Sequence, residues 1–323
     1  MINQKSAAGF SMTTAAPAAP RLPGGGSEVL GRQACLQLLA RAGVGRVAVS
    51  VGALPTVLPV CFNLVGDDVV FAAFPGSDLE LAVRGAVVAF ETDHVDPGGG
   101  WSVVVTGVAT EVHDERVLQL LRAISVVAGA GHEAQSVFRV PTDMISGRHL
   151  PRAPLHVAGT VPTEPVERRA RNGSAPGAIP PPLDPAPYEE IPPEECLRLL
   201  ATEEVGRLVA VLAGQPLVFP LNYALDGDAV VFRTAPGTKL EAISRSLVAF
   251  EVDRWAPTCQ SGWSVVVEGI AQEVTSADAP GLRERLAALP VRPLANGDRL
   301  HFVRIVPISI TGSRLRPATD TRR

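Results

Sequence analysis

The stretch Gly100-Trp-Ser-Val-Val-Val105 occurs a second time, unchanged, as Gly262-Trp-Ser-Val-Val-Val267. Further segments repeat around it in the same order. Gly45-Arg46 reappears as Gly206-Arg207, and the Val-Ala-Phe-Glu run that begins at Val88 reappears at Val248. Self-similarity over most of a chain indicates an internal repeat of one structural unit. We therefore expect two tandem copies of a single domain.

Length and composition agree with two domains. The chain has 323 residues, of which 46% are hydrophobic, which is enough for two cores of ordinary size. Between the copies, prolines are frequent and the segment 167–174 is polar, so this stretch is expected to be an extended or disordered linker. The predicted divisions are an N-terminal tail (1–27), domain 1 (28–150), the linker (151–187), domain 2 (188–316) and a C-terminal tail (317–323).

Hydrophobic patterning within each copy predicts a mainly β fold. A short helix with leucines at helical spacing, over 32–41 and 194–202, precedes alternating apolar and polar runs separated by Gly, Pro and Asp. Further helices are predicted over 78–84 and 114–127 in domain 1, and over 239–245 and 279–289 in domain 2. About six strands with no β-α-β alternation favour a β-barrel in each copy.

Charge and hydropathy exclude several classes of partner. The net charge is −4, the isoelectric point is about 5.9, and the arginines are scattered. Neither nucleic acid nor an anionic membrane is therefore an expected partner. The first residues lack the apolar stretch of a signal peptide, and later apolar runs are too short to span a membrane. A soluble, cytoplasmic protein is expected.

Cysteines and histidines do not form a metal-binding pattern. The four cysteines have no paired spacing, and Cys35 and Cys196 lie at equivalent positions on apolar helix faces, where they are expected to be small buried residues. The six histidines are dispersed, with no pair spaced to share a helix face. No metal site is expected.

The sharpest difference between the copies falls at a predicted helix start. Domain 1 has Asp78 there, which suits the partial positive charge of a helix N-terminus, whereas domain 2 has Lys239. An anion bound at this turn would explain the lysine, because Arg233, Thr234 and Thr238 supply further donors for a phosphate. The alternative is that Lys239 is an ordinary solvated surface charge, and the residues alone leave both interpretations open.

Taken together, the motifs resemble the flavin-binding split barrels related to pyridoxamine 5′-phosphate oxidase. The resemblance covers both copies and rests on Gly206-Arg207, Pro220-Leu-Asn-Tyr223, Phe232-Arg-Thr234, Gly237-Thr-Lys239 and the repeated Gly-Trp-Ser-Val-Val-Val motif. It implies a six-stranded split barrel that works as a homodimer with FMN between the protomers. The implied roles are phosphate binding by Arg233, Thr234, Thr238 and Lys239, and contact with the isoalloxazine ring by Pro220, Leu221 and Asn222, with Trp263 either beside the ring or packed in the barrel.

Because both copies lie in one chain, we expect them to pack as an intramolecular pseudo-dimer that acts as a monomer. Domain 1 offers Ala72, Ala73, Ser77 and Asp78 where domain 2 offers its phosphate ligands, so a single competent groove is expected. The resemblance implies an FMN-dependent oxidoreductase that transfers hydride to or from a small organic molecule. The alternatives are a deazaflavin (F420)-dependent reductase, a haem-binding protein, and a flavin-binding module without turnover.

Overall fold

The computed structural model describes residues 28–52, 54–96, 99–116, 118, 136–150, 188–235, 240, 243–256, 261–275, 280–291 and 301–315. The predicted tails and linker lie outside these ranges. Most of the helix predicted over 114–127 and part of the helix predicted over 239–245 also lie outside them. Within the described ranges, every helix is too short or too polar to cross a membrane.

Domain 1 is a curled antiparallel sheet of nine strands with two short helices. The strand order is β1-β9-β6-β5-β2-β3-β4-β8-β7. Because β7 follows β6 after the single residue Ala109, one continuous segment pairs with β9 through β6 and with β8, at the other end of the order, through β7. The elements are β1 (Glu28–Leu30), α1 (Arg32–Leu39), β2 (Val44–Val51), β3 (Leu54–Val65), β4 (Asp68–Ala73), α2 (Asp78–Val83), β5 (Val87–Asp96), β6 (Gly99–Val108), β7 (Thr110–Glu111), β8 (Ser136–Val140) and β9 (Met144–Leu150).

Domain 2 repeats this topology as a closed barrel of six strands with one extra edge strand. The order is β10-β16-β13-β12-β11-β14-β15, and pairing of β15 with β16 closes the barrel. The elements are β10 (Tyr188–Glu190), α3 (Pro193–Leu200), β11 (Val205–Leu212), β12 (Gln215–Asp226), β13 (Ala229–Thr234), β14 (Leu247–Trp255), β15 (Gly262–Val274), α4 (Leu282–Ala287) and β16 (His301–Leu315). The expected fold class, two tandem split barrels in a mainly β chain, is confirmed.

The two barrels differ where a proline meets the closing strand. In domain 1 the strand that corresponds to β16 is divided into β8 and β9, and Pro141, which has no backbone N–H to donate, follows directly after β8. In domain 2, Pro307 lies opposite Gly269, where a register shift next to Glu268 accommodates it and β16 continues. One long strand in domain 2 therefore corresponds to two short strands in domain 1.

Each barrel encloses its own apolar core. The rings of Phe90 and Phe62 meet edge to face in domain 1, with 4.6 Å between their centroids. The rings of Phe250 and Tyr223 meet in the same way in domain 2, with 4.9 Å between their centroids. The helix residues Cys35 and Cys196 are completely buried in these cores, which confirms the expectation for them.

The repeated glycines make room for the repeated phenylalanines. A Cβ atom at Gly45 would lie 2.2 Å from the Phe90 ring, and one at Gly206 would lie 2.3 Å from the Phe250 ring. Real Cβ atoms do not approach other atoms so closely, so only glycine permits this contact. The Gly-Arg and Val-Ala-Phe-Glu motifs therefore form one packed unit in each domain.

The two domains pack against each other in a reciprocal way. Strand β3 of domain 1 packs against β14 of domain 2, and the corresponding strand β12 of domain 2 packs against β5 of domain 1. A shared apolar cluster joins them, and its buried members are Ala48, Val57, Ala89, Val209, Val218 and Ala249. Such reciprocity is what an approximate two-fold axis produces. The pseudo-dimer arrangement expected for the fold is thus present.

Candidate functional site

A buried cluster of charged side chains lies at the centre of the domain interface. The guanidinium of Arg46 donates from Nε and Nη2 to the two carboxylate oxygens of Asp253, at 2.9 and 2.5 Å. Arg207 makes the reciprocal pair with Asp93, at 3.0 and 2.6 Å. Both are two-pronged ion pairs between domains, the geometry in which arginine binds a carboxylate most specifically. They fix how the two barrels sit against each other.

Two glutamates complete this cluster, which we call the central ion cluster (Arg46, Glu91, Asp93, Arg207, Glu251, Asp253). Burial is the main cause that raises the pKa of Glu91, to about 8, and the charge of Asp93 adds to the effect. Burial, with the charge of Asp253, likewise raises the pKa of Glu251 well above its usual value. Burial therefore favours the protonated form of both glutamates.

The two aspartates have the opposite shift. Burial alone would raise the pKa of each, but the charges of Arg46 and Arg207, with their hydrogen bonds, more than offset burial and hold both pKa values below the usual range. The charges of the two arginines therefore balance those of the two aspartates.

Serines of the repeated Gly-Trp-Ser motif support the glutamates. The Ser102 hydroxyl donates to Glu91 at 3.2 Å, and that of Ser264 donates to Glu251 at 3.0 Å. The motifs shared by the two copies therefore build the interface. Residues of a cofactor site must be sought where the copies differ.

The outer face of β12 connects the interface to the predicted ring-binding residues. Side chains alternate along this strand. Leu221 points into the domain 2 core, whereas Pro220 and Asn222 share the opposite face with Val218, which belongs to the interdomain cluster. Further along this face, Ala224 packs against an outer apolar cluster under α4. Pro220 and Asn222 therefore lie between domain 1 and the α4 side of domain 2.

The predicted phosphate residues of β13 lie beside this face. Because Tyr223 pairs with Phe232, Asn222 and Arg233 lie one residue beyond that pair on neighbouring strands, on the same outer face. The Arg233 guanidinium stacks over the Phe302 ring at 5.2 Å. Thr234 is buried, and its hydroxyl donates to the carbonyl of Ala235 at 3.2 Å.

The remaining predicted residues are placed differently. Thr238 and Lys239 lie outside the described residues. Trp263 is the second residue of β15 and packs against the domain 2 core. The strands β11 and β14 separate it from β12, by about 14 Å along the sheet at the usual strand spacing. Its counterpart Trp101 lies in the domain 1 core on β6, next to the β5 strand that packs on β12. The structure thus brings Pro220, Asn222 and Arg233 together on one outer face. Leu221 points into the domain 2 core, Thr234 alternates to the face opposite Arg233, and Trp263 lies elsewhere on the sheet.

One residue near this site was not indicated by the sequence. His301 pairs with Thr234 across β13 and β16, and its Nδ1 lies 2.5 Å from a carboxylate oxygen of Glu273. The contact between His301 and Glu273 arises from the pairing of strands that are distant in sequence. No residue near His301 in the chain forms a motif with it, so no sequence signal indicated this contact. The corresponding residue in domain 1 is Ser136, which pairs with Ala73.

The corresponding turn in domain 1 is filled by a carboxylate of its own. Glu80 accepts hydrogen bonds from the backbone N–H of Gly76 at 2.6 Å, from the Ser136 hydroxyl and from Arg84 at 2.7 Å. The bonds from Ser136 and Gly76 lower the pKa of Glu80. Asp78 occupies this turn where domain 2 has Lys239, and Glu80 is a second acidic group at the same turn.

A family model described as pyridoxamine 5′-phosphate oxidase matches this chain twice, over residues 31–149 and residues 192–314. The chain belongs to this family. Each match covers one barrel, so the family domain is present in two copies, as the repeats predicted.

Individual relatives match about one domain of the chain. The uncharacterized protein Rv0080 of Mycobacterium tuberculosis is 33% identical over 132 residues, which are 39% of this chain and 84% of that protein. Among solved structures, an FAD binding protein from Mycobacterium smegmatis is 32% identical, covers 39% of this chain and 97% of its own, and has a TM-score of 0.34. A putative pyridoxamine 5′-phosphate oxidase from Corynebacterium glutamicum is 28% identical, with coverages of 41% and 97% and a TM-score of 0.35.

Proposed function

We propose that this chain is a flavin-dependent oxidoreductase that binds one FMN between its two domains. The observation that carries the proposal is the outer face of β12 and β13, where Asn222 and Arg233 lie side by side next to the domain interface. Family membership adds the expectation of a flavin at the corresponding interface between protomers.

The residues present fit the cofactor. Arg233 supplies a cation, and the Asn222 amide supplies both a donor and an acceptor for a flat heteroaromatic ring. Thr238 and Lys239, which follow Arg233 in the chain, complete the proposed phosphate site. Domain 1 provides the opposite wall through β5 and β2, and this wall limits the access of water to the ring.

Bound FMN would supply the hydride chemistry, and the protein would bind and orient the flavin and a small organic substrate. One chain contains both walls of the groove, so we propose that the monomer is the working unit. The acidic Glu80 and Asp78 at the domain 1 turn favour a single phosphate site per chain. A deazaflavin, a haem or a flavin held without turnover remain the alternative outcomes of the test below.

The test begins with the absorption spectrum of the purified protein, because oxidised flavin, deazaflavin and haem have distinct visible bands. Apo-protein is then titrated with FMN while flavin fluorescence is followed. We expect one site per chain, weakened by Arg233→Ala and unaffected by Arg285→Ala, which removes an exposed arginine on α4 that pairs with Asp226. Two equivalent sites, or no flavin binding at all, would contradict the proposal. Hydride transfer is tested separately, by reduction of the bound flavin with NADH or NADPH.

A further inference from the structure

The reciprocal packing of the domains creates two equivalent places where a strand of one domain faces a strand of the other. We call the place where β12 of domain 2 faces β5 of domain 1 the first groove, and it is the groove of the proposed FMN site. We call the place where β3 of domain 1 faces β14 of domain 2 the second groove. Two identical grooves would hold two flavin rings per chain, so any difference between their walls affects the number of rings bound.

Val95 of domain 1 and Trp255 of domain 2 occupy equivalent positions on these walls. Val95 pairs with Gly100 across β5 and β6, and Trp255 pairs with Gly262 across β14 and β15. Both paired glycines open the repeated Gly-Trp-Ser-Val-Val-Val motif. A valine in the wall of the first groove therefore corresponds to a tryptophan in the wall of the second.

Both side chains lie on the face of their strand that meets the other domain. Alternation along β14 puts Trp255 on the same face as Asp253, whose carboxylate binds domain 1. Along β5, Val95 shares the face of Asp93, whose carboxylate binds domain 2. Trp255 is therefore on the face that β3 approaches, and Val95 is on the face that β12 approaches.

The indole of Trp255 lies directly over Gly262. A Cβ atom at Gly262 would lie 2.5 Å from Cε3 and 2.6 Å from Cδ2 of the indole. The indole Nε1 is buried and has no hydrogen-bond partner among the residues that the structure describes. At Gly100, the three atoms nearest to such a Cβ belong to the backbone of His94 and Val95. A flat ring thus covers the glycine of the second groove, whereas backbone lies nearest to the glycine of the first.

We propose that Trp255 closes the second groove to the flavin ring, so that one chain holds one ring. This inference rests on the proposed function, because the flavin ring is the ligand that the second groove excludes. The indole covers the wall against which a flat ring would lie, and its buried Nε1 shows that solvent does not reach that edge of it. The smaller Val95 leaves the equivalent wall of the first groove available.

This exclusion is separate from the difference between the phosphate turns. Glu80 and Asp78 are acidic groups at the domain 1 turn and act on the phosphate end of the cofactor. Trp255 acts on the ring end, and it belongs to the other domain. A ring without a phosphate therefore isolates the effect of Trp255.

The test titrates the full chain with lumiflavin, a flavin ring that has neither a ribityl chain nor a phosphate. The number of sites per chain is counted by equilibrium dialysis. We expect one site in the wild type and two in Trp255→Val, which gives the second wall the residue of the first. Trp255→Phe keeps a flat ring in place and is expected to retain one site.

The reciprocal variant tests the first groove. Val95→Trp introduces an indole opposite β12 and is expected to weaken lumiflavin binding about tenfold or more through steric overlap. Val108→Trp is the matched control, because Val108 is exposed on β6, and it is expected to bind lumiflavin like the wild type. Circular dichroism and the unfolding midpoint of every variant distinguish a blocked groove from a folding defect.

The outcomes separate this inference from the proposed function. The same number of lumiflavin sites in the wild type and in Trp255→Val, whatever that number is, would overturn the inference. Loss of the wild-type site in Trp255→Val would also overturn it, because the ring would then bind against Trp255. The FMN titration of the wild type decides the proposed function. No flavin site in the wild type but one in Trp255→Val would support the inference and contradict the proposed function alone.

Discussion

Arg46 of domain 1 donates two hydrogen bonds to Asp253 of domain 2, and both side chains are almost completely buried. Removal of one partner from a buried ion pair leaves an uncompensated charge, which typically costs about 3–5 kcal/mol. We therefore expect Arg46→Met to lower the free energy of unfolding by about this amount in urea titrations. Arg207→Met is expected to have a similar effect, because Arg207 makes the reciprocal pair with Asp93.

An exposed arginine provides the control for this prediction. Arg254 pairs with Glu203 on the surface, with 67% of its side chain exposed. Such pairs contribute about 0–1 kcal/mol, so Arg254→Met is expected to unfold close to wild type. If Arg46→Met unfolds at the same urea concentration as this control, the ion pair does not hold the interface as described.

The protonated glutamates predict a pH dependence of stability. The unfolded pKa of a glutamate is about 4.3, whereas the folded pKa of Glu91 is about 8. Between these values the folded state keeps a proton that the unfolded state has lost. The free energy of unfolding should therefore fall as pH rises through this range, by up to about 1.4 kcal/mol per pH unit for each such group, and level off above it.

Amide variants test this pH dependence. Glutamine is neutral at every pH and keeps the shape of the protonated acid, so Glu91→Gln and Glu251→Gln should flatten the fall between pH 5 and pH 8. Glu284→Gln, at an exposed position on α4, should leave it unchanged. Equal slopes in all four proteins would show that the buried glutamates are already ionised in the folded state.

The difference between the two turns predicts unequal effects on FMN binding. A charge-assisted hydrogen bond is worth about 1.5–3 kcal/mol, so Lys239→Ala should weaken FMN about tenfold to a hundredfold. Thr238→Ala should weaken it less. Asp78→Ala in domain 1 should leave the affinity unchanged in the fluorescence titration. If the affinity depended on Asp78 but not on Lys239, the phosphate would bind in domain 1 and the prediction would be wrong.

The glycine that faces Phe90 predicts a steric effect. At Gly45 a methyl group would overlap the phenyl ring, and overpacking of a core typically costs about 1–3 kcal/mol. Gly45→Ala should therefore lower the thermal unfolding midpoint. Gly31→Ala is the matched control, because a Cβ atom there meets no other atom within 4 Å. A normal midpoint for Gly45→Ala would mean that the ring moves aside without cost.

The linker is predicted to tolerate cleavage. The apolar cluster and the ion pairs from Arg46 to Asp253 and from Arg207 to Asp93 join the two domains directly, so cutting at 168–174 should leave the halves associated under native conditions. Size-exclusion chromatography of the cut protein under native conditions provides the measurement. Elution of separate halves would show that the ion cluster and the apolar contacts do not hold the domains together on their own.

Much of the fold could be predicted from the sequence because the repeats and the alternating strands are local signals. The division of the closing strand at Pro141 was not predicted. A proline can be seen in the sequence, but its effect depends on which strand lies opposite and whether a bulge such as that at Gly269 absorbs it. Pairing of distant strands therefore decides details that local patterns leave open.

The candidate site was predictable only in part for the same reason. Arg233 and Asn222 came from family motifs, and the structure brings them together because β12 and β13 are neighbours. The bonds from Arg46 to Asp253 and from Arg207 to Asp93 were not predicted, since each joins residues of different domains. Their sequence signal was the repeat itself. Shared motifs mark the residues that both copies need for contact with each other.

The central ion cluster has a consequence for how a duplicated chain evolves. Each arginine pairs with an aspartate of the other copy. A substitution in either copy therefore destabilises the contact between both, and sequence change at these positions is constrained in both copies. Asp78 and Lys239 are not members of this cluster. One copy can therefore abandon its ligand-binding role entirely while it remains indispensable as a structural partner, and gene fusion makes that inequality heritable.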